Sequence, residues 1–186
     1  MQWKKIKQNL INHIVAIRDM TDSQKGKDVT IRTQKSGDAG YIAYRHCVLY
    51  EKEYGLGGTF EQYVLDSLVK YIEHRSEGEI WVAEYNGQII GSIGIVSTDK
   101  STAQLRWFLI EPEFRGKGLG RQLMTKAVDY CKQKKFSRVF LWTKQNLEVA
   151  HHLYSSFGFI PVEQVENNTW KRGVVEEQWE LLLKPM

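Results

Sequence analysis

Between Phe108 and Met124 the chain reads FLIEPEFRGKGLGRQLM. An apolar run ends at Glu-Pro. Three glycines spaced by two follow inside a basic hexad, RGKGLG, and an amphipathic stretch starts directly after it. Leu119, Leu123, Ala127, Val128 and Cys131 recur at three- and four-residue intervals, which predicts a helix from about residue 118 to Gln133. A strand, a glycine turn and a helix in that order leave free N–H groups at the positive end of the helix dipole. Glycine has no Cβ to hold a bulky anion away from the backbone, and Arg115, Lys117 and Arg121 add positive charge. The spacing excludes two nucleotide loops. A Walker A loop needs Lys and Ser or Thr after its last glycine, where this chain has Arg121 and Gln122. A dinucleotide fingerprint needs a third glycine at position 121, which is Arg121. The remaining readings are a diphosphate cradle and a flexible turn with an ordinary basic surface. The junction with a helix start and the arginines favour the cradle.

The rest of the chain bounds the context. Its 186 residues suit one domain with an appendage, and six Trp help to supply a core. Charges of both signs are interspersed, and the net charge of +4 comes without a long basic block, so a general nucleic-acid binder is not expected. Cys47 and Cys131 stand far apart, with no zinc or disulfide pattern; reduced thiols and a cytoplasmic location are the expectation, with no metal. No apolar run approaches a membrane span, and the first residues do not read as a signal peptide.

Along the chain, Trp3, Ile6, Leu10, His13, Ile17 and Met20 form a helical stripe, followed by a linker, so residues 1–25 are read as an N-terminal helix and linker. That helix packs either on its own domain or on another chain, and a homodimer is one form the second case takes. VTIRTQ reads as a strand and SGD as a turn and helix cap. A helix then runs to Gly55, and a second starts at Thr59 with a capping-box Gln62. Tyr63, Leu65, Leu68, Val69 and Ile72 are expected to form its buried face. EIWVAEY and QIIGSIGIVST meet across Asn-Gly as a hairpin, and TAQLRWFLI adds a third strand. After the long helix, RVFLWT reads as a central strand buried on both faces, EVAHHLYSSFG as a short helix, and the chain closes with two strands. The order β, α, α, β, β, β, α, β, α, β, β predicts a mixed α/β domain with helices on the faces of its sheet.

RGKGLG resembles the Arg/Gln-x-x-Gly-x-Gly/Ala loop of the GNAT acyltransferase superfamily, and the element order resembles that fold. The resemblance implies a twisted, mostly antiparallel sheet of about seven strands flanked by four helices. IRTQKSGDAGYIAYRHCVLYEKEYG, LWTKQNLEVAHHLYSSFGF and VVEEQWEL further resemble the acetyltransferase half of MarR–GNAT fusion proteins, which would make residues 29–186 an acetyltransferase domain. It implies acetyl-CoA as co-substrate, with its pyrophosphate on Arg115, Gly116, Lys117, Gly118, Leu119, Gly120 and Arg121. Phe108, Leu109 and Ile110 would splay from the next strand and hold the pantetheine arm.

Acetyl transfer to an amine requires a neutral nucleophile, a polarised carbonyl and a stabilised thiolate. Tyr154, matching the family's Ala-x-x-x-Tyr helix from Ala150, is the expected general acid and cofactor contact; its other reading is a core aromatic. A backbone N–H near Leu109 or Ile110 would polarise the carbonyl. Family members often carry Glu on the third strand of the block, where this chain has Gln104 and Arg106. The remaining base candidates are Glu84, His46 and Glu53, each also readable as structural, and a water chain to solvent. Glu111 reads as a turn residue. Leu147 stands where the family often has Asn, so Asn146 is the neighbouring candidate for a cofactor contact. Arg45, Tyr50, Tyr54 and Trp170 are expected to contact the acceptor, a small amine, amino acid or protein amine. A non-catalytic CoA-binding or sensing module is the competing reading.

Overall fold

The computed structural model describes residues 29–74 and 78–183; the stripe of residues 1–25 lies outside them. The elements are β1 (Thr30–Thr33), α1 (Asp38–Tyr54), α2 (Gly58–Glu73), β2 (Gly78–Tyr85), β3 (Gln88–Ser97), β4 (Thr102–Ile110), a 3-10 turn (Pro112–Phe114), α3 (Leu119–Gln133), β5 (Arg138–Lys144), α4 (Glu148–Ser156), β6 (Ile160–Glu166) and β7 (Val175–Leu182). This is the order expected from the sequence. The seven strands form one sheet in the order β1-β2-β3-β4-β5-β7-β6. Among the described residues only the β4–β5 pair is parallel.

The sheet separates two apolar layers because alternate strand residues point to opposite faces. On β2, Ile80 and Val82 join Ile42, Phe60, Val64 and Leu68 of α1 and α2. Trp81 and Ala83 join Leu123, Met124, Ala127 and Cys131 of α3, with Tyr154 of α4. The Asn86-Gly87 turn between β2 and β3 has positive φ at both residues, 51° and 75°, as the expected tight hairpin requires.

Two features of β4 shape the site. The first is a bulge where its pairing with β3 shifts between Ser92 and Gly94. Trp107 takes a φ of 48° there, a conformation costly for a bulky residue. The surroundings hold it: Ser92 Oγ donates to the Trp107 carbonyl at 2.7 Å, and the indole Nε1 donates to Ser67 Oγ at 3.0 Å. Gly94 makes room for the ring, since a Cβ at that position would stand 2.6 Å from Trp107 Cε3. The second is that β4 and β5 pair only at Thr102–Arg138, Ala103–Val139 and Gln104–Phe140. Beyond Gln104 the two strands part.

Three local expectations are corrected. On α2 the buried face is Phe60, Val64, Leu68 and Tyr71, whereas Tyr63, Leu65, Val69 and Ile72 are exposed. The helix carries two apolar stripes, and its docking on the sheet selects the one that contains Leu68. Its N-cap is Gly57 rather than Thr59; the Thr59 hydroxyl instead donates to the Thr169 carbonyl at 3.0 Å. Finally, β5 alternates between buried and half-buried residues instead of being buried on both faces, because Val139 and Leu141 face the α3 and α4 layer while Phe140 and Trp142 on the other face join neither core cluster.

Candidate active site

The opening between β4 and β5 widens into a cleft of about 1040 Å³. Phe108, Leu109 and Ile110 line it from β4, Gly116, Gly118, Gly120 and Arg121 from the glycine loop and α3, and Leu141, Thr143 and Lys144 from β5. Antiparallel pairing sorts the backbone groups of β4, because alternate residues turn their N–H and C=O to opposite sides. Glu111 N–H donates to the Ile90 carbonyl on the β3 side. Trp107 C=O is also met from β3, by Ser92. The N–H groups of Phe108 and Ile110 therefore face the gap, and of Leu109 and Ile110 it is Ile110 that is suitably turned.

The loop below has the geometry of a backbone cradle. Gly116 and Gly118 have φ of 73° and 79°, and a Cβ built on either meets nothing within 4 Å. Gly118 caps α3 without a side-chain cap bond. The first backbone bond of the helix is Gln122 N–H to Gly118 C=O, so the preceding amides are free of helical partners. At Gly120 a Cβ would crowd Leu153 and Ile110 at 3.1 and 3.2 Å; this glycine serves close packing. Among the described residues neither Lys117 nor Arg121 pairs with a carboxylate; Lys117 lies over the Phe114 ring and Arg121 over Phe157. Arg115 is engaged, donating to Ile110 C=O at 2.9 Å and forking onto Glu53 at 2.8 and 3.2 Å. Leu119 is buried in the core with its side chain away from the cleft lining, so only its backbone is available there. Free amides, two open glycines and unpaired cations fit the pyrophosphate of an extended nucleotide thioester, and the unpaired edge of β4 fits its amide-bearing arm.

Tyr154 stands at the top of this opening on α4. It is buried among Phe108, Phe159 and Trp179, with ring centroids 6.1 to 6.3 Å away. Burial pushes its phenol well above the ordinary tyrosine range; the nearby Tyr50 adds to this and a hydrogen bond with Thr143 opposes it. The hydroxyl is therefore protonated at neutral pH. Tyr50 is raised in the same way, by burial first and then by Tyr54, Glu53 and Glu176 around it.

The other candidates separate. His46, Glu53, Tyr50, Tyr54, Asn146 and Trp170 all line the cleft. His46 is buried, its Nδ1 is 2.9 Å from the Ile42 carbonyl, and desolvation lowers its pKa to about 4, so it is neutral at pH 7 and a weak base. Glu84 is not at the cleft: it accepts from Arg32 at 2.7 and 2.9 Å beside Asp38. That network ties β1 to β2 and α1, and it removes Glu84 from the base candidates. Arg45 also lies outside the lining. It forks onto Glu111 at 2.6 and 2.7 Å, and Glu111, read from the sequence as a turn residue, is buried. That pair fastens α1 to the end of β4. Neither thiol is activated: burial raises Cys131 to about 12 and also raises Cys47. Among the described residues no cluster of His, Cys, Asp or Glu has a metal-holding arrangement, and no helix is long and apolar enough to cross a membrane.

Sequence reasoning missed part of the lining. Arg106 enters the cleft, its guanidinium 5.2 Å from the Tyr63 ring centroid. Phe60 stacks on Tyr50 at 4.7 Å and meets Trp170 edge-on at 5.1 Å. Glu176 of β7 also lines the cleft. Its signal in the sequence was weak, because which face of β7 looks into the cleft depends on pairing with β5 and β6.

Residues 44–159 match the acetyltransferase (GNAT) family. The chain belongs to the GNAT family. Its fold neighbours agree: a putative acetyltransferase from Salmonella typhimurium, solved with its cofactor acetyl-CoA, superposes with a TM-score of 0.72 at 18% identity, over 86% of this chain and 96% of that one. Among curated relatives, N-acetylaspartate synthetase of Danio rerio is 34% identical over 90 residues, 48% of this chain and 32% of that protein. An uncharacterized N-acetyltransferase of Escherichia coli is 32% identical over 114 residues, 58% of this chain and 68% of that protein. The alignment thus spans about a third of the zebrafish relative's length and about two thirds of the bacterial one's. In this GNAT chain, the sheet opens at the parted strands above the glycine loop.

Proposed function

We propose that the protein transfers an acetyl group from acetyl-CoA to the primary amine of a small molecule by direct attack. The observation that carries this reading is the parting of β4 from β5 immediately above an open glycine loop, with a buried, protonated Tyr154 at the seam. When bound there, acetyl-CoA supplies an activated acetyl thioester. The loop amides, Lys117 and Arg121 hold the pyrophosphate; Asn146 lines the same cleft and adds a polar contact. The free edge at Phe108 and Ile110 holds the pantetheine arm, and Ile110 N–H points at the thioester carbonyl. Tyr154 gives its proton to the leaving sulfur. Tyr50, Tyr54, Phe60 and Trp170 wall the acceptor end.

A second reading rests on the absence of the family's strand glutamate, since Gln104 and Arg106 occupy those places. It makes the chain a CoA-binding sensor of the kind suggested by its resemblance to MarR–GNAT proteins. Two measurements decide. Thermal denaturation with millimolar acetyl-CoA should show a rise in midpoint, and its absence sinks both readings. Free-thiol release over a panel of amines should show turnover; binding without turnover leaves the sensor.

A further inference from the structure

The acceptor end of the cleft holds a carboxylate to which the fold gives no cation. Glu53, Glu84, Glu111 and Glu180 each have an arginine partner. Glu177 faces His151 at 3.5 Å and accepts from Trp179 Nε1 and Gln164. Glu176, one residue earlier, is half-buried and faces the cleft. Its Oε2 accepts from Asn167 Nδ2 at 2.6 Å, which orients the carboxylate without neutralising it. Among the described residues no Lys, Arg or His lies within salt-bridge distance of it. Asn167 bonds it, Lys144 is its neighbour across the strand pair and Tyr50 feels its charge; Glu53, Tyr54 and Tyr154 line the same cleft, and Lys171 lines the adjoining one. The cations there are placed elsewhere. Lys144 is the cross-strand neighbour of Glu176, yet its ammonium sits 4.1 Å from the Tyr54 ring centroid. Lys171 donates to the Tyr54 carbonyl, and Arg115 is held by Glu53.

Burying a carboxylate without a counter-charge is unfavourable. Burial accordingly raises the Glu176 pKa against the opposing Asn167 bond. The aromatic wall at the same end includes the half-buried Trp170 ring, a π-system of the kind that attracts organic cations. Arg106 also lines the cleft, but its guanidinium is held over the Tyr63 and Trp107 rings and donates to Gln104, with no ion pair to Glu176, so this carboxylate is left for a cation that arrives with the substrate.

We propose that Glu176 receives the ammonium of the acceptor and takes its proton, so that the substrate is an alkylammonium and Glu176 replaces the missing strand glutamate. This rests on the acetyl-transfer reading above. The proton balance closes. Glu176 takes one proton from the ammonium and later returns it to solvent. The freed nitrogen lone pair forms the N–C bond to the thioester carbon, and the C–S bond breaks. Tyr154 protonates the sulfur and regains a proton from the acylated nitrogen. One proton is released per turnover.

The test is Glu176→Gln, which keeps the Asn167 bond and the side-chain volume. With putrescine, tyramine and butylamine as acceptors, kcat/KM at pH 7 should fall about 100-fold. It should then recover with unit slope in log kcat/KM as the pH rises toward the amine's own pKa of about 10, where solution supplies the free base. A purely structural role lowers the wild-type profile equally at every pH, and parallel profiles overturn the proposal. Calorimetric titration of putrescine gives a second readout that does not need turnover, with the variant binding about tenfold more weakly than wild type; equal binding, or none to wild type, overturns it. Titration of acetyl-CoA in the same experiment tests the acetyl-transfer reading separately, and its affinity should be unchanged by the substitution.

Discussion

At the residue scale, the proposed chemistry rests on one hydroxyl whose environment is apolar. Tyr154 packs on Phe108, Phe159 and Trp179, and burial raises its pKa, so the phenol keeps its proton at neutral pH. Tyr154→Phe removes the proton donor and leaves the ring contacts. It should lower kcat by about 10² to 10³ while the KM for acetyl-CoA and the melting temperature stay close to wild type. Steady-state kinetics with a thermal melt checks this; undiminished turnover would return Tyr154 to the core. Tyr154 was singled out in the sequence because Ala150–Tyr154 resembles the family's Ala-x-x-x-Tyr helix; its spacing alone read as a core aromatic. Glu176 was not, because its surroundings come from α1, β5 and the segment beyond β6, which no local pattern brings together. Arg45 shows the converse. Its place on α1 suggested a substrate contact, but Glu111, remote in sequence, closes a bidentate pair with it.

At the element scale, the glycine loop and the parted strands form one device. The order of elements along the chain was readable because turns and periodicity change at each junction, as at Asn86-Gly87. The face of α2 was not, since two apolar stripes on one helix look equally buried until the sheet is present. Gly118 separates fold from binding. Its φ of 79° with no neighbour within 4 Å of a built Cβ means that Gly118→Val meets backbone strain but no clash. That strain is about 1–2 kcal/mol, which a folded domain survives, while the branched side chain would enter the proposed phosphate cradle. Acetyl-CoA affinity should fall about tenfold or more, a loss of about 1.4 kcal/mol per decade. Gly87→Val is the matched control: Gly87 has φ of 75° and equally open surroundings in the β2–β3 turn, so it carries the same strain without the binding loss. Calorimetry on both variants decides; equal affinities would detach the loop from the cofactor.

At the scale of the whole molecule, α1 joins the site to global stability. Its ion pairs to β1 and to Glu111 at the end of β4 hold it on the sheet, and His46 is buried beneath with its ring stacked on Tyr50 at 6.0 Å. Desolvation sets the His46 pKa at about 4, against about 6.5 in an unfolded chain. Between pH 6.5 and 4 the unfolded chain binds a proton that the folded chain refuses, so stability falls as pH falls through that window and is flat above it. Across the whole window this amounts to on the order of 2–3 kcal/mol. Asp38 acts lower. Burial pushes it up, but the Arg32 and Lys35 hydrogen bonds outweigh that and hold it below its ordinary value, so its contribution is lost only as pH falls below about 4. Glu176, with a raised pKa, works in the opposite direction to His46 above its unfolded value, and comparison of variants is therefore more telling than the wild-type curve. His46→Leu eliminates the titration and leaves the Ile42 carbonyl its helical partner. Urea unfolding at pH 7, 5.5 and 4.5 should show wild type losing stability relative to the variant as pH drops, the wild-type-minus-variant difference falling by about 2 kcal/mol. A constant gap at all three values would mean that His46 takes up a proton without unfolding, and that the layer between α1 and the sheet admits water.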